Sequence, residues 1–213
     1  MKLPDPPLLL VTDRQQARRP LVEIVAQALA AGGRWVSLRE KELADDEQIV
    51  LARTLLPLTR RRGATLTLHG EAALAAACGA DGVHLSAGSD AKAARTLLGP
   101  DKLIGASIHT VTDAEGLDAG VVDYAIAGPA YETPSKPGYG PEIGRLGLAA
   151  IVKASPVPVL AIGGINTARV AEVLAAGCAG VAVMGAVMRA ADPGQETKSL
   201  LATVLSARQP RPR

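Results

Sequence analysis

The feature that most limits how this chain can fold is an alternation that runs along its whole length. Short aliphatic runs are LLLVT (8–12), WVSLR (35–39), TLTLH (65–69), GVHL (82–85), LIGAS (103–107), DYAIA (123–127), PVLAI (158–162) and GVAVM (180–184). Longer Ala- and Leu-rich runs separate them, among them VEIVAQALAAG, EQIVLARTLLPLTRRRG and ARVAEVLAAG. The short runs have the apolar character of strands buried on both faces, and the long runs carry helical spacing. Several of the long runs stop at Gly, which enters the left-handed conformation without a Cβ clash. Eight such units predict a (β/α)8 TIM barrel in a single compact domain over residues 1–207, with a flexible Arg/Pro tail at 208–213. Periodicity does not show closure, so a doubly wound open sheet is the structural alternative.

The unit also repeats in its punctuation. ACGADGVHL (77–85) and AAGCAGVAV (175–183) are near copies, and AGVVDYAI (119–126) is a third echo. With 48% hydrophobic residues and no Phe, the core must be aliphatic.

Charge and cysteine content narrow the function. A net charge of +2, with basic runs only at Arg60-Arg61-Arg62 and near the C-terminus, argues against nucleic acid as a partner. Cys78 and Cys178 lack CxxC spacing, so no disulfide or metal site is expected. The stretch MKLPDPPLLLVTD is too short and too broken for a signal peptide or a membrane span, so a cytoplasmic protein without membrane partners is expected.

Barrel chemistry sits where strands end. Gly163-Gly164 after strand seven and Gly185-Ala186 after strand eight form small loops where backbone N–H groups can approach a phosphate. Arg39 and Lys41 close strand two; residues two apart on a strand share a face, so both can point into the mouth. Paired cations there suit a carboxylate or phosphate. His109 lies two residues beyond Ser107 at the end of strand five, where an imidazole can take and return a proton. His69 and His84 end strands three and four, without ligand spacing for a metal.

Taken in order, LLLVTD, LREK, GADGVHL, IGASIHT, GPAYETPSK, PVLAIGGIN and GVAVM resemble the thiamin phosphate synthase superfamily over about residues 8 to 190. That superfamily includes the synthase and the TenI group of thiazole tautomerases. The synthase couples a pyrimidine pyrophosphate to a thiazole phosphate with magnesium. Its pattern has a Gln where Ser37 stands, Asn-Asp where His69-Gly70 stand, and Gly-Gln-Glu-Asp where Ser86-Ala87-Gly88-Ser89 stand. Both acidic magnesium ligands are therefore missing, and Asp90 falls one position late.

The departures are similar to TenI, which implies a thiazole tautomerase. This isomerase of thiamin (vitamin B1) biosynthesis aromatises a carboxylated dihydrothiazole phosphate. The resemblance implies His109 as the acid/base and implies substrate contacts from Thr133, Ser135 and Lys136 in the superfamily's T-x-[TS]-K loop. Arg39, Lys41 and Ser107 complete the expected substrate-binding set, with no metal and no organic cofactor. Two alternatives remain open. One is a magnesium-dependent synthase that recruits Asp13 or Asp90. The other is a non-catalytic regulator that binds a thiazole or thiamin phosphate. Aliphatic helix faces are compatible with a homodimer.

Overall fold

The computed structural model describes residues 3–133, 135 and 141–208. Its strands are β1 (Leu8–Val11), β2 (Trp35–Leu38), β3 (Thr65–His69), β4 (Gly82–Leu85), β5 (Leu103–Ile108), β6 (Tyr124–Ala127), β7 (Val159–Ile162) and β8 (Gly180–Val183). All pair in parallel with their chain neighbours, and β8 pairs back onto β1, so the barrel is closed. The open sheet is thereby excluded.

Helices α1 (Leu21–Ala30), α2 (Asp45–Arg61), α3 (Ala72–Cys78), α4 (Ala91–Leu98), α5 (Val111–Glu115), α6 (Gly144–Ala154) and α7 (Thr167–Ala175) fill the crossovers. After β8 come the short α8 (Gly185–Met188) and the closing α9 (Pro193–Arg208). Arg208, read from sequence as the start of a tail, ends α9 and donates to Asp5 at 2.5 Å. The rest of that tail lies outside the described residues. Among the described residues no helix is long and apolar enough to cross a membrane.

Strand alternation divides the core in two. Leu8, Leu10, Val36, Leu66, Val83, Ile104 and Val181 face the helices. Leu9, Val11, Trp35, Leu103, Tyr124, Ile126, Leu160 and Ala182 fill the barrel itself. Trp35 and Tyr124 pack edge to face there, 4.7 Å between ring centroids. The two bulky rings occupy space that a core without Phe leaves to smaller side chains. Tyr124 fits because it lies across Gly105, where a Cβ would collide with its ring.

The repeated punctuation has a physical basis. Asp81, Asp123 and Ala179 each precede a strand and donate their N–H to the preceding strand, to Leu66 O, Ile104 O and Val159 O, each at 2.8 Å. In two copies the carboxylate returns the bond, Asp81 accepting from Leu66 N–H and Asp123 from Ile104 N–H, both at 2.8 Å. Arg95 then pairs with Asp123 at 2.7 Å and donates to three nearby carbonyls, tying β5 and β6 together away from the mouth. The motif therefore sets register, leaving the opposite strand ends for chemistry.

Candidate active site

A cavity of about 640 Å³ opens at the C-terminal ends of the strands. Its lining includes Arg39, Lys41, Ser107, His109, Thr133, Ser135, Gly163, Gly164, Gly185 and Ala186, so one pocket gathers ten of the residues singled out from sequence. Lys136 lies outside the described residues.

The floor comes from strand register. His69 pairs with His84, His84 with Gly105, and Gly105 with Tyr124. Inward-facing positions in one row thus bring two imidazoles to 4.8 Å between centroids. His84 Nε2 lies 2.9 Å from Ser107 Oγ. His84 lies near the end of β4 and lines the cavity, as its place in the sequence implies, but it is fully buried there. Burial, reinforced by the charge of Lys41, pushes its pKa down to about 3. A neutral ring is the result.

His109 stands one residue past β5, and its setting is built locally. Thr110 caps α5 by accepting from Asp113 N–H, while Asp113 Oδ2 accepts the N–H of Thr110 at 2.9 Å and of His109 at 2.8 Å. The three residues form one turn that aims the imidazole across the mouth. His109 Nδ1 lies 2.6 Å from Gly128 O. A carbonyl only accepts, so Nδ1 carries the proton and the lone pair of the neutral ring falls on Nε2.

Arg39 and Lys41 reach the pocket by a different route from the expected one. β2 stops at Leu38, so strand alternation does not place them. Arg39 N–H donates to Thr12 Oγ1 at 2.9 Å, and the fully buried Glu40 accepts Arg14 N–H at 2.9 Å. Turning Glu40 inward leaves its two cationic neighbours at the pocket. Desolvation raises the Glu40 pKa, and desolvation with the nearby Arg39 charge lowers that of Lys41.

The wall between β6 and β8 carries residues that sequence reasoning missed. Gly163 and Gly164 adopt φ of +102° and +63°, which explains their identity. Tyr131 N–H donates to Gly163 O at 3.1 Å, and Arg169 Nη1 donates to Gly164 O at 3.1 Å. The Arg169 guanidinium stacks 4.3 Å from the Tyr131 ring centroid. At the neighbouring loop, Arg189 lies against Gly185, where a Cβ would meet its guanidinium. Arg189 Nη1 donates to Gln16 Oε1 and to Ser135 Oγ, the latter at 3.1 Å. An arginine side chain therefore stands beside the Gly185 loop. The available signal was a lone cation a few residues past each Gly-bearing loop, at Arg169 and Arg189.

The donor set does not fit a resident magnesium ion. Among the described residues Glu132 is the one lining carboxylate, and it is exposed. Asp90 caps α4 by accepting Ala93 N–H at 3.0 Å, and Asp13 accepts from Gln15 N–H at 3.1 Å and Gln16 Nε2 at 2.5 Å. Neither lines the pocket. Magnesium requires hard oxygen ligands, whereas imidazole, hydroxyl and cationic groups dominate here.

Comparison with known proteins places these features. A thiamine monophosphate synthase family model matches residues 8–187. A protein of Geobacter sulfurreducens named provisionally as a thiamine-phosphate synthase is 46% identical over 197 residues, covering 92% of each chain. The thiamine-phosphate synthase of Roseiflexus sp. strain RS-1 is 42% identical over 209 residues, covering 96% of this chain and 87% of its own. Among solved structures, the thiamine phosphate pyrophosphorylase from Pyrococcus furiosus superposes with a TM-score of 0.85 at 33% identity, covering 95% of this chain and 97% of that one.

Proposed function

This chain belongs to the thiamine monophosphate synthase and TenI family of thiamin-biosynthesis enzymes, and we propose that within it the chain acts as a thiazole tautomerase. The observation that carries the reading is the setting of His109. Its Nδ1–H is committed to Gly128 O at 2.6 Å, so Nε2 is the proton-accepting atom, in a pocket whose described lining holds a single carboxylate.

Aromatising a carboxylated dihydrothiazole phosphate needs a proton removed from the ring carbon that bears the carboxylate. It also needs one delivered to the exocyclic carbon. Nε2 of His109 takes the first and, as imidazolium, returns it to the second. The double bond migrates into the ring, and atoms and charge balance without a redox partner. Arg39 and Lys41 hold the substrate carboxylate, while the Gly163-Gly164 and Gly185-Ala186 loops receive its phosphate. Ser107, Thr133 and Ser135 complete the substrate-binding set, and Lys136 joins them by its place in the family motif.

The names of the relatives favour a second reading, a synthase that couples a pyrimidine pyrophosphate to a thiazole phosphate with magnesium. The described lining, with Glu132 as its one carboxylate, does not fit a protein-held magnesium ion for that reaction. Supplying each substrate with magnesium or with a chelator separates the two. Isomerisation of the dihydrothiazole phosphate carboxylate that is unchanged by chelator supports the tautomerase. Magnesium-dependent coupling without isomerisation rejects it in favour of the synthase. Binding of thiazole phosphate with neither reaction would point to the regulator.

A further inference from the structure

Among the described residues, Arg189 is a cation that the fold grips without giving it a counter-charge. It follows α8, is half-buried and lines the pocket. Its described acceptors, Gln16 Oε1 and Ser135 Oγ, are neutral and come from the loops after β1 and β6. The orientation of the Gln16 amide follows from its other bonds. Nε2 donates to Asp13 Oδ2 at 2.5 Å, and Ser135 Oγ donates to Oε1 at 2.9 Å, so Oε1 faces the guanidinium. A carboxylate is thus present in the network but stands one amide away.

Among the described residues no ion pair engages Arg189. A guanidinium offers five donors, and among the described residues only Nη1 has an acceptor. A structural arginine in a partly buried wall would ordinarily be paired with a carboxylate. Neutral clamping instead fixes the group while leaving its charge for something that enters the pocket.

We propose that Arg189 binds the phosphate of the ligand directly and that Gln16 is its positioning residue. The assignment rests on the phosphorylated-ligand part of the reading above and adds the side chain that selects for it. The guanidinium gives two parallel donors to phosphate oxygens, a geometry an ammonium does not reproduce. Selection for the phosphorylated thiazole over its alcohol then comes chiefly from this residue.

Calorimetric titration tests it with three ligands: inorganic phosphate, thiazole phosphate and the dephosphorylated thiazole alcohol. The proteins are wild type, Arg189→Met and Gln16→Glu, each with its melting temperature measured. Arg189→Met is expected to weaken both phosphate ligands by roughly 10- to 100-fold, the range of a lost charge-assisted bond, and to leave the alcohol unaffected. Gln16→Glu keeps the contact between loops but places a carboxylate on the guanidinium, and is expected to weaken the phosphate ligands about tenfold. If Arg189→Met melts lower yet binds both phosphate ligands as wild type does, Arg189 is only a staple between loops and the proposal is overturned. Inorganic phosphate needs no thiazole pocket. If wild type binds it, Arg189→Met does not, and neither binds thiazole phosphate, the arginine assignment holds while the thiazole reading falls.

Discussion

The floor of the pocket and its arginine-bearing wall present polar groups by opposite means. On the floor, His69, His84 and Ser107 project from β3, β4 and β5, so strand register alone sets their spacing. On the wall, Arg169 and Arg189 come from beyond β7 and β8 and are held by side-chain bonds to Gly164, Gln16 and Ser135. Burial keeps His84 on the floor neutral, whereas the arginines of the wall are half-exposed. One pocket thereby combines a floor built around a buried imidazole with an arginine-bearing edge. His109 stands between them, one residue past a strand, with its ring fixed by a carbonyl.

The comparison breaks most visibly at two glycines. Gly105→Ala pushes a methyl group into the Tyr124 ring, which the barrel walls prevent from moving. A loss of about 3 kcal/mol in urea unfolding is expected. Gly185→Ala meets the end of the flexible Arg189 side chain, so a loss below about 1 kcal/mol is expected, with weaker phosphate binding as its main effect. Equal stability losses at the two sites would mean that the floor is no more rigid than the wall.

Acid sharpens the same contrast. Buried His84 titrates at about 3 in the folded chain and near its ordinary 6.5 when unfolded. The unfolded chain therefore binds more protons between those values. The associated stability is complete above pH 6.5 and is lost as pH falls toward 3. At pH 5 this amounts to about 2 kcal/mol relative to pH 7. His84→Gln is expected to lose that share of the pH dependence in urea melts at the two pH values. An unchanged pH dependence would show that the floor histidine is not kept neutral by burial.

The smallest effect belongs to the wall. Arg169→Met removes the stacking on Tyr131 and the bond to Gly164 O, for an expected stability loss of about 1 kcal/mol. Its kinetic signature is a raised KM with little change in kcat, because the Gly163-Gly164 turn loosens while His109 is untouched. A fall in kcat at constant KM would place Arg169 with the floor instead.

Most of the fold was legible because each unit repeats its own instructions. Asp81 and Asp123 set register through backbone bonds, and Gly79 and Gly99 end α3 and α4, so strand positions follow from local residues. Closure was not legible, because it depends on β8 pairing with β1, residues at opposite ends of the chain. The site shows the same division. His109 and the Gly loops could be found from their place after strands. For Arg189 the sequence offers only its place past a Gly-bearing loop, since its partners Gln16 and Ser135 lie 173 and 54 residues away in sequence. Arg39 and Lys41 were found for an incomplete reason, as the buried Glu40 and not strand alternation leaves them at the pocket.

The central claim is that His109 moves the proton, and the most direct measurement is the single-turnover rate of isomerisation by wild type and His109→Asn, alongside their affinities for thiazole phosphate. The variant is expected to be slower by roughly 100- to 10,000-fold, the contribution of a positioned acid/base, with affinity preserved. Wild-type turnover by His109→Asn, or isomerisation by neither protein above the rate in buffer, would contradict it.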